Sequence, residues 1–241
     1  MPRVARRFRW TDAACYHVLN RGYARETVFH DDEDRAYFLS LLARYADRFG
    51  LRLYHYTLID NHFHLLMQLP QARFLSRLMA GLLVSYWHHY RRRYGLVGHL
   101  FQGRFRSPAV QVEGYLPSCG RYSERNPVEA RLVKRPWEYR WSSCRAYAFG
   151  ENDVLRARNP WYEALARQAE CRQQLWRVFL QGEDAKEEVV RREDWVVGTE
   201  PFRQQLQQRG RRPVPRSRGR PTEAAARVRG ERIIPQNQKI Q

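Results

Sequence analysis

The sequence predicts an α+β fold in which helices pack on an antiparallel sheet. Its elements follow one another in the order strand, helix, strand, strand, helix, strand, helix. Two adjacent strands therefore lie between two helices, which is the order of a ferredoxin-like α+β sandwich. The apolar content is sufficient for a core, because 43% of the 241 residues are hydrophobic and 13% are aromatic.

The first strand is predicted for residues 15–20, and the first helix begins after the acidic residues of 31–34. Acidic side chains favour the N-terminus of a helix. Apolar residues then recur at helical spacing, and Gly50 is a suitable C-terminal stop. These apolar residues are Phe38, Leu41, Leu42, Tyr45 and Phe49.

Residues 51–59 and 62–69 are predicted as two strands, because both are rich in aromatic and aliphatic side chains. The pair Asp60-Asn61 between them is typical of a turn. Residues 75–94 show the apolar spacing of a long helix. Residues 101–112 are expected to be extended.

A short third helix is predicted for residues 115–125. It is expected to end there because Pro127 disfavours the helical conformation for the residue before it. Residues 1–150 are assigned to one domain and residues 151–200 to a smaller helical region. The residues expected to pack in that region are Trp161, Leu165, Leu175, Trp176 and Phe179.

The chain is strongly basic, with 43 Lys and Arg against 25 Asp and Glu and a net charge of +18. Residues 201–241 hold eleven Lys or Arg and two Glu, which leaves a net charge of +9 in that segment. Few aromatics, and interruptions by Pro213, Pro215, Pro221 and Pro235, predict a largely disordered, DNA-binding tail. Such an excess of positive charge indicates a polyanionic partner, since neutralised phosphates release counterions.

Several other classes of protein are not expected. No run of about 18 apolar residues is present to span a bilayer, and the start MPRVARRFRW lacks the apolar stretch of a secretory signal. The four cysteines are far apart without CxxC pairing, which disfavours a zinc finger or redox motif. A cytoplasmic, nucleoid-associated protein without a membrane partner is the expectation.

His62 and His64 lie two residues apart in the third predicted strand. Side chains at that spacing point to the same face of a strand, so both imidazoles can reach one metal ion. Neutral imidazole is a common metal ligand. An isolated HxH pair is more often structural than metal-binding, so the pair alone leaves both interpretations open.

Tyr122 and Asn126 are four residues apart in the third predicted helix, which places them side by side on one face. A phenol beside a metal-ligating amide can lose its proton and attack phosphorus to form a covalent protein–DNA intermediate. The metal would polarise a phosphate oxygen. Considered alone, Tyr122 is better explained as a core residue with a bonded hydroxyl.

Basic residues near these elements are candidates for DNA contact. Some end the second helix, where cations are favourable in any case, and others alternate with an aromatic in QGRFR, which suits phosphate contact with base stacking. The RGRP of the tail resembles an AT-hook core, although generic electrostatic binding explains it as well. The candidates are Arg21, Arg91, Arg92, Arg93, Arg104, Arg106, Arg218 and Arg220. His17, His30, His55 and His99 are expected to be structural.

Taken together, five stretches of the sequence resemble the single-tyrosine HUH transposases (IS200-like), specifically the REP-associated tyrosine transposases of bacteria. They occur in family order and cover roughly residues 10–150. The stretches are YHVLNRGYARETVFHDDEDRAYFLSLL (16–42), LIDNHFHLLMQLP (58–70), YGLVGHLFQGRFRS (94–107), YLPSCGRYSERNPVEARLV (115–133) and WEYRWSSCRAY (137–147).

The resemblance implies a role for each matching residue. His62 and His64 match the metal ligands, Asn126 the third, polar ligand, and Tyr122 the nucleophile that becomes joined to a DNA 5′ phosphate. The implied cofactor is Mg²⁺ or Mn²⁺, and two imidazoles make Mn²⁺ at least as suitable. The implied substrate is single-stranded DNA cleaved at the foot of a hairpin, and the protein acts as a monomer or a homodimer.

Three residues depart from the family pattern, which usually has aliphatic residues on the nucleophile helix. Pro117 is tolerable in a first turn, Gly120 costs about 1 kcal/mol relative to alanine, and Ser123 follows the tyrosine directly. They predict a short or mobile helix and keep open a catalytically weak or inactive domesticated relative that binds repetitive hairpin DNA. A replication initiator or relaxase is a third interpretation.

Overall fold

A five-stranded sheet forms the centre of the computed structural model, which describes residues 11–12, 14–155, 157–183, 186, 190 and 196–210. The strand order is β2-β3-β1-β4-β5, in which the first three pairs of neighbours are antiparallel and the pair β4-β5 is parallel. The predicted ferredoxin-like α+β order is thus confirmed. The strands are β1 (Cys15–Arg21), β2 (Arg52–Ile59), β3 (His62–Gln68), β4 (Ala109–Val110) and β5 (Val196–Val197).

The helices largely follow the predicted positions. In chain order they are α1 (Asp32–Phe49), α2 (Leu75–Tyr94), α3 (Val112–Glu129), α4 (Cys144–Phe149), α5 (Pro160–Ala164), α6 (Ala169–Gln181) and α7 (Glu200–Gly210). The side chain of Asp31 caps α1 by accepting from the backbone N–H of Asp34 at 3.0 Å. Gly50 ends α1 in the left-handed conformation at φ +61°, as its position predicted. None of the helices in the described ranges combines the length and apolar character needed to cross a bilayer.

The two faces of the sheet are covered by different helices. Alternate strand residues such as Val18, Phe63 and Leu65 join α1 and α2 in the larger core. Residues of the other parity, including Leu66 and Val110, pack with α3 in a smaller cluster. Because strand side chains alternate between faces, the α3 face of the sheet also receives the histidines of β3.

Helix α3 continues through Pro127 and ends at Glu129, so the predicted end at Arg125 is wrong. Proline lacks the N–H that would bond to the carbonyl four residues earlier, here that of Ser123. Thr57 of β2 replaces this donor, since its hydroxyl donates to the Ser123 carbonyl at 2.8 Å. A contact from a distant strand therefore allows the helix to include the proline.

Gly120 has a packing role that the sequence did not indicate. A Cβ at this position would lie 2.6 Å from Nε2 of His55, a fully buried ring of β2. Glycine permits α3 to lie directly against that ring. Pro117 lies in the first regular turn, after the break at Glu113 and Gly114, where a proline is tolerated. The irregular composition of α3 is therefore accommodated by its neighbours.

Two predicted segments need correction. The segment 101–112 pairs as a strand only at Ala109–Val110, with single bridges from Arg106 and Phe101 to the β1 side of the sheet. The region 151–200 is not purely helical, because β5 adds to the sheet. Of the residues expected to pack in this region, Trp176 is fully buried, whereas Leu175 is 44% exposed.

The prediction that a disordered tail starts at residue 201 is wrong for its first ten residues. Residues Glu200–Gly210 form α7, and Leu206 is buried in the main core, where Phe202 also packs. Glutamine and arginine dominate this segment, so its few apolar residues gave too weak a signal. The remainder of the predicted tail, with Arg218 and Arg220, lies outside the described residues.

Candidate metal and nucleophile site

Strand β3 places His62 and His64 on one face of the sheet, as the sequence predicted. In the register of the sheet, His62 lies opposite Arg21 and His64 opposite Leu19 of β1. Phe63, between the two histidines, points into the opposite core and is fully buried. Burial of the apolar face thus fixes the orientation of β3, so that both imidazoles face one pocket.

Helix α3 brings Tyr122 and Asn126 to the same pocket. The cavity has a volume of about 560 Å³, and His62, His64, Tyr122 and Asn126 all line it. The ring centroids of His64 and Tyr122 are 5.7 Å apart in an edge-on arrangement. The four residues that the sequence analysis selected for chemistry therefore meet, although up to 64 positions separate them in the chain.

His62 contacts an amide oxygen on each side of its ring. Its Nδ1 lies 2.6 Å from Oδ1 of Asn61, and its Nε2 lies 3.0 Å from Oδ1 of Asn126. A neutral imidazole has one N–H and satisfies only one of two acceptors. When Nδ1 donates to Asn61, the lone pairs of Nε2 and the Asn126 oxygen face each other. A metal cation bound to both atoms would satisfy the lone pairs of the nitrogen and of the oxygen.

His17 of β1 completes the site and was missed by the sequence analysis, which treated it as structural. Its Nε2 lies 2.8 Å from Nδ1 of His64, and the two rings are stacked with centroids 5.0 Å apart. This contact occupies Nδ1 of His64, so Nε2 is the nitrogen suited to bind a ligand. The second partner of a metal-binding histidine commonly fixes its tautomer in this way.

All three imidazoles are held in the neutral form. Burial lowers the pKa of His17 to about 4, with a further contribution from the charge of Arg106. Burial also lowers the pKa of His64 well below its usual value, and that of His62 to a lesser extent, with the charge of Arg21 acting in the same direction. Neutral imidazole is the form that binds metals, so the electrostatics favour a cation at neutral pH.

Comparison with known families adds an independent observation. Residues 11–126 match the family model described as "Transposase IS200 like". This part of the chain belongs to the IS200-like transposase family. The matched segment contains all four pocket residues named above and ends at Asn126, the last of them.

Among solved structures the chain is similar to one described as the structure of a REP-associated tyrosine transposase bound to a REP hairpin. That match has 16% sequence identity and a TM-score of 0.48, and it covers 61% of this chain and 87% of the other. The comparison with curated proteins gives no match.

The donor set of this IS200-like domain fits a divalent cation. Nε2 of His62 and Oδ1 of Asn126 are 3.0 Å apart. Two neighbouring ligands of an octahedral ion, each about 2.1 Å from it, lie about 3 Å apart. Within the described ranges no group of three or more His, Cys, Asp or Glu side chains is arranged to hold a metal. The candidate set is therefore two imidazoles and one amide, with His17 behind them.

The predicted DNA-contacting arginines fall into three groups in the transposase domain. Arg21, Arg104 and Arg106 line the pocket itself. Arg91 and Arg92 lie at the exposed end of α2, in a shallow surface patch with His88.

Arg93 has a different environment from its two neighbours. Its guanidinium pairs with Asp31 at 2.7 Å and with the fully buried Asp34 at 2.5 Å. These bonds join the end of α2 to the beginning of α1. Arg93 therefore contributes to the fold, and its proposed role in DNA contact is untested.

Replacing His17 with leucine should weaken metal binding by the domain. The variant places an apolar side chain at this buried position of β1 and removes the nitrogen that contacts His64, and loss of such a partner typically costs about 10- to 100-fold in metal affinity. Calorimetric titration with Mn²⁺ measures the change, with His99→Leu, at an exposed histidine outside the pocket, as the control. An unchanged dissociation constant for a folded His17→Leu protein would contradict this role.

Proposed function

We propose that this protein is a metal-dependent DNA transposase of the REP-associated tyrosine type. It cleaves and rejoins single-stranded, hairpin-associated DNA through a 5′-phosphotyrosine intermediate on Tyr122. The observation that carries the proposal is the convergence of Tyr122 and Asn126 from α3 with His62 and His64 from β3 in one pocket. Membership of the IS200-like transposase family supports it.

In the proposed reaction the phenolic oxygen of Tyr122 attacks the scissile phosphorus and loses its proton. A P–O bond to the tyrosine forms, the P–O3′ bond breaks, and the leaving oxygen becomes a free 3′ hydroxyl after protonation. Rejoining reverses the same steps with an incoming 3′ hydroxyl. His62, His64 and Asn126 would hold Mg²⁺ or Mn²⁺, which when bound supplies polarisation of a phosphate oxygen.

The basic side chains around the pocket give DNA a defined path. Arg21, Arg104 and Arg106 line the cavity that contains Tyr122, so we assign them to phosphates next to the cleaved bond. Arg91 and Arg92 form a second patch on α2, suited to phosphates further away. Contacts of this kind supply affinity and register, without base specificity.

The interpretation as an inactive relative rested mainly on the irregular nucleophile helix. Thr57 replaces the hydrogen bond that Pro127 removes, and Gly120 makes room for His55. The helix is therefore long and closely packed despite its composition. We accordingly prefer the active enzyme, in which all four pocket residues have a role.

A covalent trapping experiment tests the proposal. The protein is incubated with Mn²⁺ and single-stranded oligonucleotides, labelled at either end, that are taken from any sequences flanking its gene that are able to form hairpins. A 3′ label should become attached to the protein through denaturing electrophoresis, whereas a 5′ label should remain on a free strand with a 3′ hydroxyl. Attachment of the 5′ label, or cleavage without any adduct, would overturn the proposed chemistry.

A further inference from the structure

Two arginines of α3 bind the C-terminal end of α6. Arg121 donates through Nε to the carbonyl of Phe179 at 2.8 Å and through its second amine to the carbonyl of Gly182. Arg125 donates to the carbonyl of Leu180 at 2.6 Å. The last carbonyls of a helix lack partners within it, and they carry the negative end of its dipole. Both arginines therefore join α3 to α6 by charge-assisted bonds.

Glu124, between these arginines, is fully buried and makes three contacts. Its Oε1 accepts from the hydroxyl of Ser143 at 2.7 Å and lies 2.8 Å from Nδ1 of His55. Its Oε2 accepts from the indole N–H of Trp176 in α6 at 2.9 Å. Burying a carboxylate is unfavourable in free energy unless such donors surround it. Glu124 therefore favours the one position of α3 in which its carboxylate meets all three groups. Glu124 connects β2, the start of α4 and α6 to that helix.

The surroundings of this carboxylate leave little room for adjustment. The ring of His55 is stacked on Tyr147 at 4.4 Å and on Trp176 at 5.5 Å between centroids. Nε2 of His55 lies 3.1 Å from the side-chain amide of Asn159. On its remaining side the ring touches Gly120 of α3 so closely that a Cβ would not fit. Interiors of this density transmit small displacements to their neighbours.

The buried contacts and the chemistry occupy different sides of α3. An α-helix turns by about 100° per residue, so Glu124 and Tyr122 are about 200° apart around the axis. Tyr122 and Asn126 line the catalytic pocket, whereas His62 and His64 are held independently by the hydrogen bonds of the sheet. A rotation or shift of α3 therefore changes the distance from the nucleophile to the proposed metal ligands.

We propose that Glu124 is a positioning residue for Tyr122, and that Arg121, Glu124 and Arg125 together form an anchor of α3 on the helical region of residues 144–182. The anchor rests on the proposed function, since it matters only if Tyr122 is the nucleophile. Its partners Ser143 and Trp176 lie beyond the matched family segment, which ends at Asn126. The helical region thereby acquires a role in catalysis, although Ser143 and Trp176 do not line the pocket of Tyr122.

The test compares two tryptophan variants of the full chain. Trp176→Phe removes the N–H that binds Glu124 and keeps an aromatic ring, while Trp161→Phe makes the same change at a half-exposed position of α5 that has no bond to Glu124. Displacements of about 1 Å can cost about 100-fold in rate. We therefore expect Trp176→Phe to lower the single-turnover rate of adduct formation by at least about tenfold, with DNA affinity unchanged. Trp161→Phe should retain the wild-type rate.

Hydrogen exchange provides a readout that does not depend on the reaction. Trp176→Phe should accelerate the exchange of amides in residues 115–129 and leave those of β3 protected as in the wild type. A folded Trp176→Phe protein with wild-type exchange in α3 and a wild-type rate would overturn the positioning role. The exchange result stands even if the wild type forms no adduct, so failure of the proposed function is recognised separately.

A second variant covers the case in which Trp176→Phe does not fold. Glu124→Gln keeps the shape of the side chain but places an NH₂ group against either the indole N–H or the hydroxyl of Ser143. The same slower adduct formation and faster exchange in α3 are expected, and raising the metal concentration should not restore the rate. Wild-type behaviour of folded Glu124→Gln in both measurements would contradict the proposal.

Discussion

Replacing Tyr122 with phenylalanine will abolish the covalent protein–DNA adduct and leave the fold and DNA affinity nearly unchanged. The substitution removes only the phenolic oxygen, while the ring keeps its place beside the imidazoles of His17 and His64. Without that oxygen no P–O bond to the protein can form, so the loss should be complete. Denaturing electrophoresis measures the adduct, and thermal unfolding with equilibrium DNA binding monitors the rest.

Tyr115 offers a matched control on the same helix. It is half-buried in the apolar cluster under α3, next to Lys186, and does not line the catalytic pocket. Tyr115→Phe should form the adduct at the wild-type rate. If Tyr122→Phe still formed an adduct and peptide mapping placed it on Tyr115, the assignment of the nucleophile would be wrong.

Replacing His62 and His64 together with alanine should reduce strand cleavage by at least about 10³-fold, because a bound metal contributes several kcal/mol of transition-state stabilisation. Most of the DNA affinity should remain, since it comes from phosphate contacts. Single-turnover cleavage and equilibrium binding, both over a Mn²⁺ series, separate the two effects. The variant His99→Ala removes an exposed histidine outside the pocket and should still cleave.

The lowered histidine pKa values set the pH range of this metal dependence. Protons compete with the metal for imidazole, and burial makes protonation of His62 and His64 harder than in a free side chain. Metal affinity should therefore stay constant from neutral pH to below 6.5 and fall only in more acidic solution. Metal-dependent cleavage that persists in the His62→Ala, His64→Ala protein, or affinity that declines already above pH 7, would contradict the site.

Local patterns were enough to predict the main elements and the candidate residues. Helix α2 begins and ends at the predicted residues, and Asp31 and Gly50 cap α1 as expected. The HxH spacing placed two imidazoles on one face, and the four-residue spacing placed Tyr122 beside Asn126. These features depend on strand and helix periodicity, which is a property of neighbouring residues and can be read along the chain.

The contact of His17 with His64 could not be predicted from local patterns, because it depends on how the strands pair in the sheet. It lies in β1, and its contact with His64 exists because the register sets Leu19 opposite His64 and brings His17 to the same face. No spacing within the sequence relates positions 17 and 64. The element order predicts that β1 and β3 are neighbours, but a shift of one residue in register would turn His17 to the opposite face.

The extent of α3 shows how distant contacts override a local signal. Pro127 is a strong sequence reason to end a helix, yet Thr57 of β2 supplies the missing hydrogen bond. Gly120, an unfavourable helix residue when considered alone, is the position that admits His55. In both cases the compensating group is more than sixty residues away, and its position becomes known only when the sheet is formed.

The sequence by itself determined the α+β order, the common face of His62 and His64, and the pairing of Tyr122 with Asn126 on one helix. The tertiary structure decided that these two pairs share a pocket and that Glu124 joins α3 to Trp176. The physical reason is the separation along the chain over which each effect acts. Periodicity acts over a few residues, whereas the position of one element against another is set by close packing and buried hydrogen bonds between distant segments.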